Sequence, residues 1–158
     1  MGSLERMSHY LLLKKATQLK YTMEGFKELL NPYRNIIESL TLDNGVENVR
    51  YQELNLPTYF CHPYSSWEKG SMEHGFKRLR RFIPKKTSLK NISQEKLSTI
   101  METMNHTPRK CLNWRTPKEV FEEQIKLKRQ PKANNYFKVG INKLLTFITN
   151  LTYPQCRA

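Results

Sequence analysis

The sequence predicts an α/β fold. Short apolar runs bounded by turn signals, Tyr10–Leu13, Ile36–Leu42 and Thr58–Cys61, read as strands. They alternate with longer segments whose apolar residues recur at helical spacing, and 158 residues make about one domain.

Tyr10-Leu11-Leu12-Leu13, followed by Lys14 and Lys15, reads as a buried strand ending in a basic turn. Thr22 can cap a helix carrying Met23, Phe26, Leu29 and Leu30, which Pro32 stops. Ile36, Ile37, Leu40 and Leu42 lead into Asp43-Asn44-Gly45, a turn tripeptide that ends a strand with Asp43 at its C-terminal end. Thr58–Cys61 is a further short strand closed by Pro63. From Gly70 a helix is expected to run to Pro84, with Phe76, Leu79, Phe82 and Ile83 as its apolar set. Ser93 caps the next helix, whose Leu97, Ile100, Met101 and Met104 follow i, i+3, i+4, i+7. Thr116-Pro117-Lys118-Glu119 opens another with a capping box and proline at the first helical position.

After Gln124 the composition shifts. Residues 126–132 hold four Lys or Arg, and Ala133-Asn134-Asn135 follows, so 125–135 reads as a basic linker. Ile141, Leu144, Leu145 and Ile148 regain helical spacing, which predicts an amphipathic helical tail within 136–158.

Lys plus Arg number 27 against 14 Asp plus Glu, a formal charge of +13 that calls for an anionic partner such as DNA or RNA. Cys61, Cys111 and Cys156 are far apart, without C-x-x-C or zinc spacing, as expected in a reducing compartment. No run reaches the ~18 apolar residues of a membrane span, and no signal-peptide core is present at the N-terminus. A soluble cytoplasmic protein is expected. The sequons at Asn91, Asn105 and Asn150 are short enough to arise by chance.

Two carboxylates stand out by position, Asp43 at a strand end and Glu73 near a helix start. Two-metal phosphoryl chemistry needs several carboxylates converging on divalent ions, and open α/β sheets gather ligands at the carboxyl ends of strands. Taken alone, Asp43 also reads as a turn residue and Glu73 as a first-turn carboxylate complementing the helix dipole. The basic run is the stronger signal. Lys77, Arg78, Arg80, Arg81, Lys85, Lys86 and Lys90 fall in 14 positions, with no acidic residue from 74 to 94 to compensate them. Contact with a phosphate backbone is the natural role, against the alternative of a solvated face.

Five blocks then occur in order: Leu40-Thr-Leu-Asp43-Asn-Gly-Val-Glu47, His62-Pro-Tyr-Ser-Ser-Trp67-Glu-Lys-Gly70-Ser-Met-Glu73, Arg80-Arg-Phe-Ile-Pro84-Lys, Asn105-His-Thr-Pro-Arg109-Lys-Cys-Leu and Arg115-Thr-Pro-Lys-Glu-Val-Phe121. Together they resemble bacterial insertion-sequence transposases of the IS-thirty group, in the DDE integrase-core superfamily, over about residues 4–123. The resemblance implies a ribonuclease-H-like (integrase core) sheet flanked by helices over residues 1–124. It makes Asp43 the second Asp and Glu73 the Glu of the DDE set, both ligands of Mg2+ or Mn2+. It implies DNA contact by His62, Tyr64 and Trp67 at the rim, and by Lys77, Arg78, Arg80, Arg81, Lys85, Lys86, Arg109 and Lys110.

The departures from the group carry their own expectations. The strand bearing the first Asp lies upstream of the segment matching Leu4-Glu5-Arg6, so the sheet is expected to lack its central first strand, and neither Glu5 nor another acidic residue replaces that Asp. The segment between Asp43 and Glu73 is about four residues shorter than in the group, and His74 stands where Asn is familiar. A truncated, inactive fragment of an enzyme for DNA strand cleavage and strand transfer is the implied function. The alternative is a non-catalytic basic DNA-binding protein that modulates a full-length transposase, through DNA or by joining its oligomer. An RNA-binding role follows from charge alone and leaves the ordered blocks unexplained.

Overall fold

The computed structural model describes residues 1–15, 22–45, 48, 50–62, 65, 68, 70–85, 87, 92–129 and 146–150. Strands β1 (Gly2–Glu5) and β2 (Leu11–Leu13) form an antiparallel hairpin. Helix α1 (Thr22–Leu30) precedes β3 (Ser39–Leu42) and β4 (Thr58–Phe60). Helices α2 (Gly70–Leu79), α3 (Gln94–His106) and α4 (Pro117–Arg129) follow, and β5 spans Thr146–Asn150.

The five strands make one mixed sheet in the order β2-β1-β5-β3-β4. Its middle strand therefore comes from the far end of the described chain. β5 pairs antiparallel with β1, Gly2 opposite Asn150, and parallel with β3, Thr41 opposite Ile148. Two residues past that last pair, Asp43 follows β3 and Asn150 ends β5.

Helices cover both faces, because alternate residues of the strands feed two apolar clusters. Leu12 and Leu40 join Met23, Phe26 and Leu30 of α1 and Phe121 of α4 in one cluster. Leu4, Leu11 and Leu13 join Met72 and Leu79 of α2 and Ile100 and Met104 of α3 in the other. Gly75 lets α2 settle on β1: an added Cβ would stand 3.1 Å from Leu4 Cδ1.

Of the three predicted caps, those at Ser93 and Thr116 form, while Thr22 is the first residue of α1 itself. Ser93 Oγ accepts from Lys96 N at 3.1 Å, and in the capping box Glu119 Oε2 accepts from Thr116 N at 2.9 Å while Thr116 Oγ1 accepts from Glu119 N at 3.2 Å.

α3 also covers the outer edge of the sheet. Outward backbone groups on alternate residues of β2 and just past its end meet the helix's side chains: Leu11 N donates to Asn105 Oδ1 at 2.9 Å, Leu13 N to Met101 Sδ at 3.4 Å, and Lys15 N to Gln94 Oε1 at 2.8 Å.

Four features differ from the sequence reading. β1 is an additional strand, with no counterpart among the expected elements. α2 ends at Leu79, where turn bonds from Phe82 N and Ile83 N to Leu79 O tighten the chain; Arg80, Arg81 and a 44% exposed Phe82 lie beyond it. α4 continues through the supposed linker as far as Arg129, carried by Ile125 packing on the core and by Lys128, which donates to the Ile36 carbonyl and pairs with Glu38. The tail helix is replaced over 146–150 by β5, where Thr146, Ile148 and Thr149 are β-branched. The rest of the linker and tail lies outside the described residues.

Candidate nucleic-acid interface

Asp43 stands one residue past β3, half-buried, with Oδ1 accepting from Asn48 Nδ2 at 2.7 Å. Asn48 also donates to the Asp43 carbonyl at 2.8 Å. It is 1% exposed, and its Oδ1 meets no donor among the described residues. Sequence reasoning passed over Asn48; its only signal was its place five residues after Asp43. The strand end is pinned to its neighbour, since Asn44 Nδ2 donates to the Cys61 carbonyl at 2.9 Å and Cys61 N to the Leu42 carbonyl at 3.0 Å.

Glu73 lies exposed in the first turn of α2. Asp43 and Glu73 offer the hard oxygen donors that Mg2+ or Mn2+ prefers. Among the described residues, however, no group of three or more His, Cys, Asp or Glu side chains is gathered. These residues do not complete the ligand set of a two-metal centre.

His62 is exposed and engaged. Its Nδ1 lies 2.9 Å from Glu68 Oε1 and its backbone N donates to Glu68 Oε2 at 2.9 Å, contacts that hold the Glu68 carboxyl below the usual carboxylate range. Arg6 reaches the same approach to α2, donating at 3.4 Å to both the Glu68 carbonyl and Thr41 Oγ1. Tyr64, Trp67 and Lys86 lie outside the described residues.

The basic residues fall into two sets. Lys77, Arg78, Arg81, Lys85 and Lys110 are exposed, whereas Arg80 is half-buried and Arg109 is 4% exposed. Five other cations pair with carboxylates: Lys14 with Glu28, Lys27 with Glu53, Arg50 with Glu24 and Glu53, Arg115 with Glu123, and Lys128 with Glu38. Among the described residues, none of Lys77, Arg78, Arg81 or Lys85 makes an ion pair. His74, Lys77, Arg78 and Arg81 instead line a depression of about 320 Å³.

Arg109 is the exception to the surface role expected of it. It closes the loop between α3 and α4: its N donates to the Arg115 carbonyl, and its own carbonyl accepts from Leu112 N and Trp114 N, all within 2.9–3.0 Å. Asn113 and Trp114, at φ 55° and 64°, turn this loop through left-handed backbone. Burial, and then the neighbouring Arg78, lower the Arg109 guanidinium to about 10, so it remains charged at neutral pH.

Comparison with known proteins sets these residues in a family. The transposase for insertion sequence element IS1086 of Cupriavidus metallidurans is 38% identical over 131 residues, which is 77% of this chain and 38% of that protein. The chain is a homologue of IS30-type transposases. The InsI transposase of element IS30A from Escherichia coli is 38% identical over 94 residues, 57% of this chain and 24% of the relative. The transposase of element IS4351 from Bacteroides fragilis is 35% identical over 100 residues, 61% of this chain and 31% of the relative. The chain thus spans about a quarter to two-fifths of the length of these IS30-type relatives. No family model matches it. Among the described residues no helix is long and apolar enough to cross a membrane.

Proposed function

We propose that this chain is a DNA-binding domain of IS30-type transposase descent, with a ribonuclease-H-like sheet, that holds DNA by its phosphate backbone and has little or no strand-cleaving activity of its own. The observation that carries the reading is the group of exposed cations at the C-terminal end of α2 and in the segment just after it. Lys77, Arg78, Arg81 and Lys85 are exposed and without ion pairs among the described residues, and the first three line one depression with His74. A set of exposed cations beside a depression suits a phosphate backbone, whose binding releases counterions and weakens steeply with salt.

The reaction of the family, by resemblance, is divalent-metal-dependent DNA strand cleavage and strand transfer, with Asp43 and Glu73 as acidic ligands. Bound at such a centre, the metal supplies activation of the attacking oxygen and stabilisation of the leaving one. This chain's contribution would be two carboxylates, with Asp43 oriented by Asn48. Among the described residues no third His, Cys, Asp or Glu gathers with them, and the neighbouring strand β5 ends at Asn150, an amide residue. The reading therefore favours DNA capture over catalysis, and modulation of a longer transposase through shared DNA or a mixed oligomer is the role that follows.

Fluorescence anisotropy with a labelled duplex at several salt concentrations tests DNA capture. Neutralising Arg78 and Arg81 should weaken binding and flatten the salt dependence, whereas Asp43→Ala and Glu73→Ala should leave affinity unchanged. A strand-transfer assay in Mg2+ or Mn2+ tests the other half. Product that disappears with Asp43→Ala would overturn the claim of inactivity.

A further inference from the structure

We propose that Trp114 is a stacking platform for an unpaired base of the DNA that this domain holds. The inference rests on the DNA-binding reading and adds a preference to it, for DNA with single-stranded stretches over continuous duplex.

The loop between α3 and α4 presents the ring. Trp114 is 71% exposed, the most open of the large apolar side chains among the described residues. No aromatic ring packs on it there, whereas the exposed Phe60 has Tyr51 against it at 4.9 Å. Leaving an indole in water forgoes one of the largest apolar burials a side chain can make.

The backbone beneath the ring is strained, and the strain is held. Four non-glycine residues have positive φ among those described: His9, Asn55, Asn113 and Trp114. Histidine and asparagine enter the left-handed region comparatively readily, but for a bulky residue such as tryptophan, here at φ 64°, it is an outlier. Five backbone bonds fix the turn, all between 2.9 and 3.1 Å. Leu112 N and Trp114 N donate to the Arg109 carbonyl, Asn113 N to that of Lys110, Arg115 N to that of Leu112, and Arg109 N to that of Arg115. A conformation costly in itself and enforced by its surroundings is the kind found at ligand contacts. Here it keeps the ring from folding back onto the protein.

Charge selects the ligand. Between Glu102 and Glu119 the chain carries Arg109, Lys110, Arg115 and Lys118 and no acidic residue. Arg115 pairs with Glu123, but the exposed Lys110 makes no ion pair among the described residues. The Lys110 carbonyl receives the N–H of Asn113, so the ammonium and the indole belong to one tight turn. An apolar ring with a cation beside it matches the two parts of a nucleotide, base and phosphate. Paired bases in a duplex already stack on each other, so the ring needs an unpaired one. Every base has a π-face, and selection among sequences should be weak.

The test uses the full chain with a single strand and a hairpin duplex, each carrying one fluorescent adenine analogue whose emission falls on stacking. Wild type should quench the single strand, Trp114→Phe should keep most of the quenching, and Trp114→Gly should lose it. In anisotropy Trp114→Gly should weaken single-strand binding roughly tenfold, about 1.4 kcal/mol, the scale of one base stacked on a ring, and duplex binding by less than about twofold. Glycine adopts this φ without strain, so its melting temperature should stay at or above that of wild type. Quenching that survives in Trp114→Gly, equal losses for both DNAs, or a melting temperature lowered by several degrees would overturn the platform. So would loss of a dimer in Trp114→Gly with single-strand affinity intact, which would make the ring a protein contact. Duplex binding without any quenching of the single strand removes the platform alone; failure of wild type to bind either DNA removes the DNA-binding reading as well.

Discussion

Replacing Asn105 tests how the edge of the sheet is held. Its amide is 2% exposed and makes a matched pair of bonds to one residue of β2, accepting from Leu11 N at 2.9 Å and donating to the Leu11 carbonyl at 2.8 Å. Asn105→Ala deletes both partners at once. A buried backbone group left unsatisfied costs about 1–3 kcal/mol, so two give about 2–6 kcal/mol, with the lower half favoured because water can reach an edge strand once the amide is gone. A loss of about 3 kcal/mol corresponds to roughly 6–12 °C in Tm for a chain of this size. Asn105→Asp is the sharper probe. The aspartate still accepts from Leu11 N, but a carboxylate oxygen now faces the Leu11 carbonyl. Its folded pKa should therefore rise above the unfolded ~3.9. A raised acid pKa means stability present below the unfolded value and lost as pH rises through the folded one. Urea unfolding followed by circular dichroism from pH 3.5 to 7, with hydrogen exchange at Leu11, measures both effects. A change under about 0.5 kcal/mol for Asn105→Ala, or a pH-independent penalty for Asn105→Asp, would refute the claim that this amide pair holds the edge.

Four other outcomes are expected. Phe121→Leu removes the stack on Tyr10, at 4.3 Å and 6° between rings, and the edge contact with Tyr33 at 5.3 Å; it should lower stability by about 1–3 kcal/mol in thermal unfolding, at 0.5–1.5 per aromatic pair. Glu5 is fully buried and its pKa is raised, by burial first and against hydrogen bonds from Ser8 and Met7; wild-type stability should therefore fall relative to Glu5→Gln as pH rises from the unfolded value of 4.5, with denaturation at pH 4 and 7 as the check. Deleting residues 146–158 opens β1 and β3 along the edges that β5 now pairs, so the product should elute as aggregates in size-exclusion chromatography, and a stable monomer would contradict the sheet order. Asn150→Asp should confer a Mn2+-dependent rise in melting temperature that Asn150→Asp with Asp43→Ala lacks, and equal Mn2+ responses would show that these two strand ends do not form one site.

Local chemistry was legible in the sequence, and long-range pairing was not. Ser93 and the Thr116–Glu119 box announced their helices because capping uses residues three apart, and Asp43 was found because a strand-ending turn has its own residue signature. β1 escaped because Gly-Ser-Leu-Glu contains one large apolar side chain; its extended form depends on partners on both sides, β2 and β5. β5 escaped because Ile148 also completes a helical spacing with Ile141, Leu144 and Leu145, and only the place between β1 and β3 selects the strand. The burial of Asn105 and Arg109 was not legible, since nothing in their neighbours reveals it; Asn105 brackets the sheet edge, and Arg109 closes the loop between α3 and α4. Asn48, which orients Asp43, lacked any motif.

The sheet order has a kinetic consequence. Residues 2–5 and 39–42 meet through a strand that begins at residue 146, so the middle of the sheet closes only across separations of more than a hundred residues. Loop closure over such lengths comes before any reward from pairing, which makes folding slow and leaves two unpaired strand edges exposed while the rest of the chain is already compact. On a ribosome adding about 5–20 residues per second, the hairpin and α1 would wait several seconds for their central partner. For this fold, the period of greatest vulnerability to misassociation falls during synthesis, before β5 emerges.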